Sequence, residues 1–129
     1  MATWEEMSRD CLRSAKRLLE EELFRRSISS SYYAAYCAVT AELVAKGVNF
    51  AHGWRNPAHE QLVELVMNNI NLPRNAKYEL RKALKLTRRA REDADYRPHA
   101  IIDERIAREM LQLAGRVIKL LEERHGGTK

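Results

Sequence analysis

Residues 26 to 46 constrain the fold more than any other stretch of this chain. Ile28, Tyr32, Ala35, Val39 and Leu43 recur at three- and four-residue steps, and Tyr33, Tyr36, Cys37, Val44 and Ala45 widen that stripe until little polar face is left. Such recurrence is the period of an α-helix. A helix apolar around most of its circumference must be surrounded by other helices. The segment therefore predicts the central member of a bundle, ended by Gly47 in the position after its C-cap.

The rest of the chain supplies the surrounding helices. Over 3–24, Trp4, Met7, Cys11, Ala15, Leu18 and Leu19 form one stripe, with Thr3 as N-cap and Glu6 completing a capping box. A loop is expected over 48–58, and a short helix over 59–69 on Leu62, Leu65, Val66 and Ile70. Pro73 restarts the chain in a fourth helix over 74–94, with Leu80, Ala83, Leu84 and Thr87 inward. Ile106, Met110, Leu113, Val117 and Leu120 mark a fifth over 102–124. No strand pattern, repeat or interdomain linker is evident. The expected fold is all-α, an up-and-down antiparallel bundle of four to five helices over residues 1–125, with 126–129 a frayed tail.

At 129 residues, 45% hydrophobic and 32% charged, the chain is globular in composition and long enough for one core. No apolar run approaches the roughly 18 residues of a membrane span. The acidic start Thr3-Trp4-Glu5-Glu6 is not a signal region. A cytoplasmic location is expected, with Cys11 and Cys37 as reduced thiols inside apolar patterns. The net charge of +5 favours an acidic partner.

Those charges concentrate on the fourth helix. Arg74, Lys77, Arg81, Lys82, Lys85, Arg88, Arg89 and Arg91 face only Glu79 between residues 74 and 91. One reading is a stripe facing RNA or DNA, whose self-repulsion a polyanion relieves. The other is a solvated face paired with acids of the first and fifth helices, Glu20 to Glu22, Glu122 and Glu123. Arg81, Lys85, Arg88 and Arg89 are the candidate nucleic-acid contacts. Beyond them Arg91, Asp95, Tyr96 and His99 gather around a helix end, where an arginine fork suits phosphate and a histidine suits proton transfer. The plainer reading is helix-end chemistry, with Asp95 answering Arg91 and Tyr96 folded on the core.

The loop adds His52, Trp54, Arg55 and His59. It reads either as a binding surface in which one histidine approaches Arg91, or as Trp54 plugging the end of the bundle while His59 caps the next helix. Tyr32, Tyr33 and Tyr36 suit base stacking or the core, and at least two are expected inside. Two histidines seven apart with no nearby cysteine make no zinc site. No glycine-rich phosphate loop or Ser-His-Asp set is present. Neither metal nor cofactor is expected.

The segment Ser30-Ser31-Tyr32-Tyr33-Ala34-Ala35-Tyr36 with Ala41-Glu42-Leu43, and the later Arg91-Glu92-Asp93-Ala94-Asp95-Tyr96, resembles the HEPN domain in its small stand-alone "ADY" variant. The resemblance implies a dimerising helical bundle that binds or cleaves RNA in a toxin–antitoxin or defence module. A non-catalytic subunit that binds nucleotide or docks a minimal nucleotidyltransferase is the alternative. It implies a homodimer, a metal-independent ribonuclease site, and a central set of Arg91, Asp95 and Tyr96; His52, Arg55 and His59 are candidate contributors only on the binding-surface reading of the loop. Arg91 and Tyr96 are then expected together in an open cationic cleft at a subunit seam. The sequence departs from the family's ribonuclease pattern. Arg89 and Tyr96 match its toxin spacing, but Ala94 stands where that pattern has histidine, and His99 is displaced beyond Pro98.

Overall fold

Thr3 starts the first helix as its composition suggests: its hydroxyl accepts the Glu6 N–H at 3.1 Å. Glu6 answers through the Thr3 hydroxyl, which donates to the carboxylate at 3.2 Å. In the computed structural model, which describes residues 2–126, α1 spans Trp4–Glu20 and α2 spans Phe24–Ala45. Short 3-10 turns at Ala51–Gly53 and His59–Gln61 lead into α3 at Leu62–Asn69. The long α4, Arg74–Tyr96, and α5, Glu104–Gly126, complete the all-α bundle. The described residues contain no strand. The helix runs through Gly126, where the tail is expected to begin, and residues 127–129 of that tail lie outside the described residues.

Both ends of α2 show why helix limits are hard to read from sequence. Gly47, at φ +73°, donates to the Val44 carbonyl at 3.0 Å, and Val48 donates to Leu43 at 3.1 Å. That is the expected left-handed glycine stop. Before α2, Glu22 performs the same stop for α1 at φ 63°, with its N–H on Leu19 and that of Leu23 on Leu18. A left-handed glutamate leaves no sequence signal, so the helix expected over 3–24 ends at Glu20 instead.

The central helix is where its composition puts it. Ile28, Tyr32, Ala35, Val39 and Leu43 are fully buried, and α2 packs on α1, α3, α4 and α5. Val44 and Ala45, counted in its apolar circumference, are instead exposed at the last turn. The antiparallel pairing of α1 with α2 is tied by two buried serines. Ser8 donates to the Ala34 carbonyl at 2.7 Å and Ser27 to Ala15 at 2.8 Å. Ser8 thus takes the buried place on α1, while Met7 is 39% exposed. A small hydroxyl satisfied by a neighbouring carbonyl lets two helices approach closely, which hydrophobicity alone does not predict. Cys11 and Cys37 are free thiols on the same two helices, and the Cys37 thiol draws Cys11 down to about 7.

The main core runs from Tyr32 through Leu43 to Leu62, Val66, Leu80, Leu84, Val117 and Leu121. A smaller cluster of Leu19, Ile28, Ala90, Ala94, Ala107 and Met110 closes one end, under the α1–α2 turn and the α4–α5 connection. No helix is long and apolar enough to cross a membrane among the described residues.

Candidate functional site

The site forms where α2, the turn before α3 and the last turns of α4 meet. Arg91 is its centre. One guanidinium nitrogen donates to the Tyr33 hydroxyl at 2.7 Å and lies 3.5 Å from that of Tyr96. Its Nε is 3.1 Å from Asp95 Oδ2, and the Ser29 hydroxyl donates to the same oxygen at 3.1 Å. The guanidinium carbon sits 5.7, 5.2 and 5.3 Å from the ring centres of Tyr32, Tyr33 and Tyr96. Cation–π attraction on several faces holds a guanidinium in one orientation. Arg91, Asp95 and Tyr96, expected together from sequence, are together, and Asp95 does answer Arg91.

They do not share one degree of exposure. The Arg91 side chain is only 11% exposed, whereas Tyr96 is 68% exposed and is not folded on the core. The open cationic cleft lies beside Arg91 rather than around it. It is a space of about 660 Å³ lined by Lys85, Arg88, Arg89 and Arg97 together with Glu60, Glu92 and Asp93. Arg88 bridges the two regions: it pairs loosely with Glu92 at 3.8 Å and points a nitrogen at the His59 carbonyl at 3.5 Å. Arg81 is exposed farther along α4. The Nε atoms of Arg88 and Arg91 are buried without an aligned acceptor. An unsatisfied buried donor costs about 1–3 kcal/mol, and more for a charged group.

Of the histidines whose side chains are described, His59 is the one that reaches this centre. Its Nδ1 lies 2.6 Å from the Tyr32 hydroxyl, and its ring packs 4.7 Å from Tyr36 and 5.8 Å from Tyr33. The reading of His59 as a helix cap is therefore corrected: the turn it opens has no side-chain cap, and its ring faces the tyrosines instead. Burial, then the charges of Arg91 and Arg88, hold the imidazole below its ordinary value, so it is neutral near pH 7. Burial likewise pushes the Tyr32 hydroxyl up, so it keeps its proton. The arrangement that leaves no buried O–H unsatisfied has Tyr32 donating to Nδ1, which puts the imidazole proton on Nε2. His59 then offers a neutral donor at its other nitrogen, and its basic nitrogen is occupied.

The remaining loop residues separate from this centre. His52 packs against Trp54 at 5.0 Å, and Arg55 lines a second groove with Trp4, Val44, Phe50 and Trp54. Trp54 is 52% exposed, so it does not plug the bundle. The loop is held instead by Tyr36 of the core, whose hydroxyl donates to the Pro57 carbonyl at 2.6 Å and accepts from Asn56 at 2.9 Å. Tyr32 and Tyr36 are buried and Tyr33 is partly so, as expected of at least two.

Arg25 is the contributor that sequence reading missed. From the first turn of α2 its guanidinium donates to the carbonyls of Asp93, Ala94, Arg97, Pro98 and Ala100, all at 3.0–3.2 Å. The last carbonyls of a helix lack intrahelical donors. Here α4 has no glycine stop, and an arginine from another helix takes the Ala94 carbonyl, shares that of Asp93 with the Arg97 N–H, and binds three carbonyls of the connection beyond. That clamp sets the turn carrying Asp95 and Tyr96. Ala94 itself is 6% exposed inside the smaller core cluster. The position where the toxin spacing would place histidine is therefore filled by packing.

The family model of the HEPN domain matches residues 1–124, nearly the whole chain. The chain belongs to the HEPN domain family. A curated relative from Thermotoga maritima, a UPF0332 protein, is 40% identical over 48 residues, 37% of this chain. The match covers 36% of that relative's length. In this HEPN domain the two family segments recognised in the sequence lie face to face: the tyrosines of α2 hold the arginine of α4.

Proposed function

We propose that this HEPN domain binds RNA on the cationic face of α4, with Arg91 and His59 organising the centre of the site rather than cleaving the strand. One observation carries the reading. Among the described residues, none of Arg74, Lys77, Arg81, Lys82, Lys85 and Arg89 forms an ion pair. Most nearby acids are engaged by other arginines: Glu79 and Glu123 pair with Arg116 of α5, Glu92 with Arg88 and Asp93 with Arg97, while Glu60 lines the cleft of Lys85 and Arg89. Cations left unpaired on one face match a polyphosphate, which gains affinity by releasing counterions.

Binding is favoured over cleavage by the chemistry of His59. A general base needs a free lone pair near the attacking hydroxyl. The Nδ1 lone pair of His59 is engaged by Tyr32, and the helix position of the family's histidine is buried Ala94. The domain is read as a homodimer in a toxin–antitoxin or defence module. The second reading, a non-catalytic subunit serving a minimal nucleotidyltransferase, is favoured by the exposed Tyr96 hydroxyl beside Arg91, which a partner can reach.

The test is incubation of the purified chain with total RNA in EDTA, alongside filter binding across a salt series. The expected result is intact RNA, with affinity that falls steeply as salt rises. Degradation abolished by Arg91→Ala would replace binding with metal-independent cleavage. A flat salt response would remove RNA as the ligand.

A further inference from the structure

We infer that Tyr78, on the exposed face of α4, is a stacking platform for an unpaired base, so that the strand held by this helix is single-stranded RNA. The inference rests on the RNA-binding reading above and names the form of RNA and a subsite for it. Tyr78 is 66% exposed, and among the described residues its ring and hydroxyl make no hydrogen bond or ring contact. A tyrosine left in water on a well-packed bundle lacks the burial that ordinarily accounts for an aromatic side chain.

Its neighbours on the helix make the case. Helical spacing puts Arg74, Arg81, Lys82, Lys85 and Arg89 on the same side as Tyr78, and all are exposed. The stripe from Arg74 to Arg89 is about 22 Å long at the rise of an α-helix. Leu86, 40% exposed, adds a second apolar patch about two turns beyond Tyr78. The stripe runs without a break into the cleft of Lys85, Arg88 and Arg89. Cations tracking a backbone, interrupted by an aromatic face, is the arrangement that holds single strands: phosphates take the charge and a base stacks on the ring. A duplex buries its base faces in its own stack and offers such a ring nothing but an edge. An acidic protein would use the cations, but carboxylates make no use of an exposed aromatic ring.

The experiment is fluorescence anisotropy with the full chain, a labelled ten-nucleotide oligo-uridine and oligo-adenosine, and a blunt RNA duplex of the same length. Wild type is compared with Tyr78→Ala and Tyr78→Phe, with circular dichroism reading the fold of each. Tyr78 is exposed, so neither substitution disturbs the core. Without one stacked base, single-strand binding weakens about tenfold in Tyr78→Ala. Tyr78→Phe keeps the affinity, oligo-adenosine binds at least as tightly as oligo-uridine, and duplex binding is the same in all three proteins. Salt-sensitive binding to single strands that Tyr78→Ala leaves unchanged would overturn the stacking site alone. An equal weakening on the duplex would overturn the single-strand preference. Displacement by polyglutamate as effective as by RNA, with Tyr78→Ala without effect, would make the stripe a protein surface. No binding to any RNA by wild type would sink the parent reading together with this one.

Discussion

Tyr32 and His59 form a pair in which each controls the other's proton. The hydroxyl is buried and stays protonated, and the imidazole beside two arginines stays neutral. Tyr32→Phe leaves Nδ1 without its donor. It is expected to cost about 1–2 kcal/mol in urea unfolding and to raise the His59 value, read by proton NMR titration of the ring. The pH dependence follows from the same shift. The folded His59 sits below the unfolded value of 6.5. Between the two values the unfolded chain binds a proton that the folded chain refuses, so stability falls as pH drops through about 6.5. His59→Gln should flatten that part of the stability curve. A slope unchanged in the variant would show that His59 is not its source. Tyr32, Tyr33 and Tyr36 were legible as mostly core from the apolar circumference of their helix. Their shared hold on a distant arginine and histidine was not, because side chains 27 and 58 positions apart in the chain meet only through packing.

Among the elements, α4 depends on a neighbour for its end. Ordinary stop signals are local: a glycine, a cap side chain, a proline. Arg25 acts across 68 to 75 residues of sequence, and for that reason nothing near Tyr96 announces it. Arg25→Ala should destabilise the chain by about 2 kcal/mol, since several carbonyls are deprived of a charged donor at once. Amide hydrogen exchange should speed up over residues 93–100 more than elsewhere. Arg25→Lys should recover only part of the stability, because an ammonium cannot spread a planar fork over five carbonyls. Uniform exchange throughout the chain would show that the clamp is not local. The central helix makes the opposite point. Leu43 is fully buried, as its place in the apolar stripe requires, and Leu43→Ala should cost about 2–5 kcal/mol by thermal or urea unfolding.

For the molecule as a whole, the charge asymmetry predicts a salt dependence. Each cation that touches a phosphate of a single strand adds about 0.7 to the slope of log affinity against log salt. Arg89→Ala and Lys85→Ala should each reduce the slope by about that amount, and the double variant by about twice it. Lys119→Ala, on α5, should leave it unchanged. An identical slope in all variants would place the phosphate-binding face elsewhere. Burial of Arg91 adds a contrast: Arg91→Ala should perturb stability as well as binding, because it removes the cation that three tyrosine rings and Asp95 surround.

Apolar periodicity and composition by themselves determined that this chain is an all-α bundle around one nearly all-apolar helix. They also located the cations on one side of α4, since helical spacing alone decides which residues share a face. The family was legible too, in two short segments read in order. Only the tertiary structure decided which histidine joins Arg91, that Ala94 is packed inside, and that, among the described residues, six of the α4 cations form no ion pair while Glu79 and Glu123 pair with Arg116. Periodicity is a local property of consecutive residues. The pairing of a charge or a proton depends on which distant side chain the packed core brings within about 3 Å, and that distance is set by every helix at once.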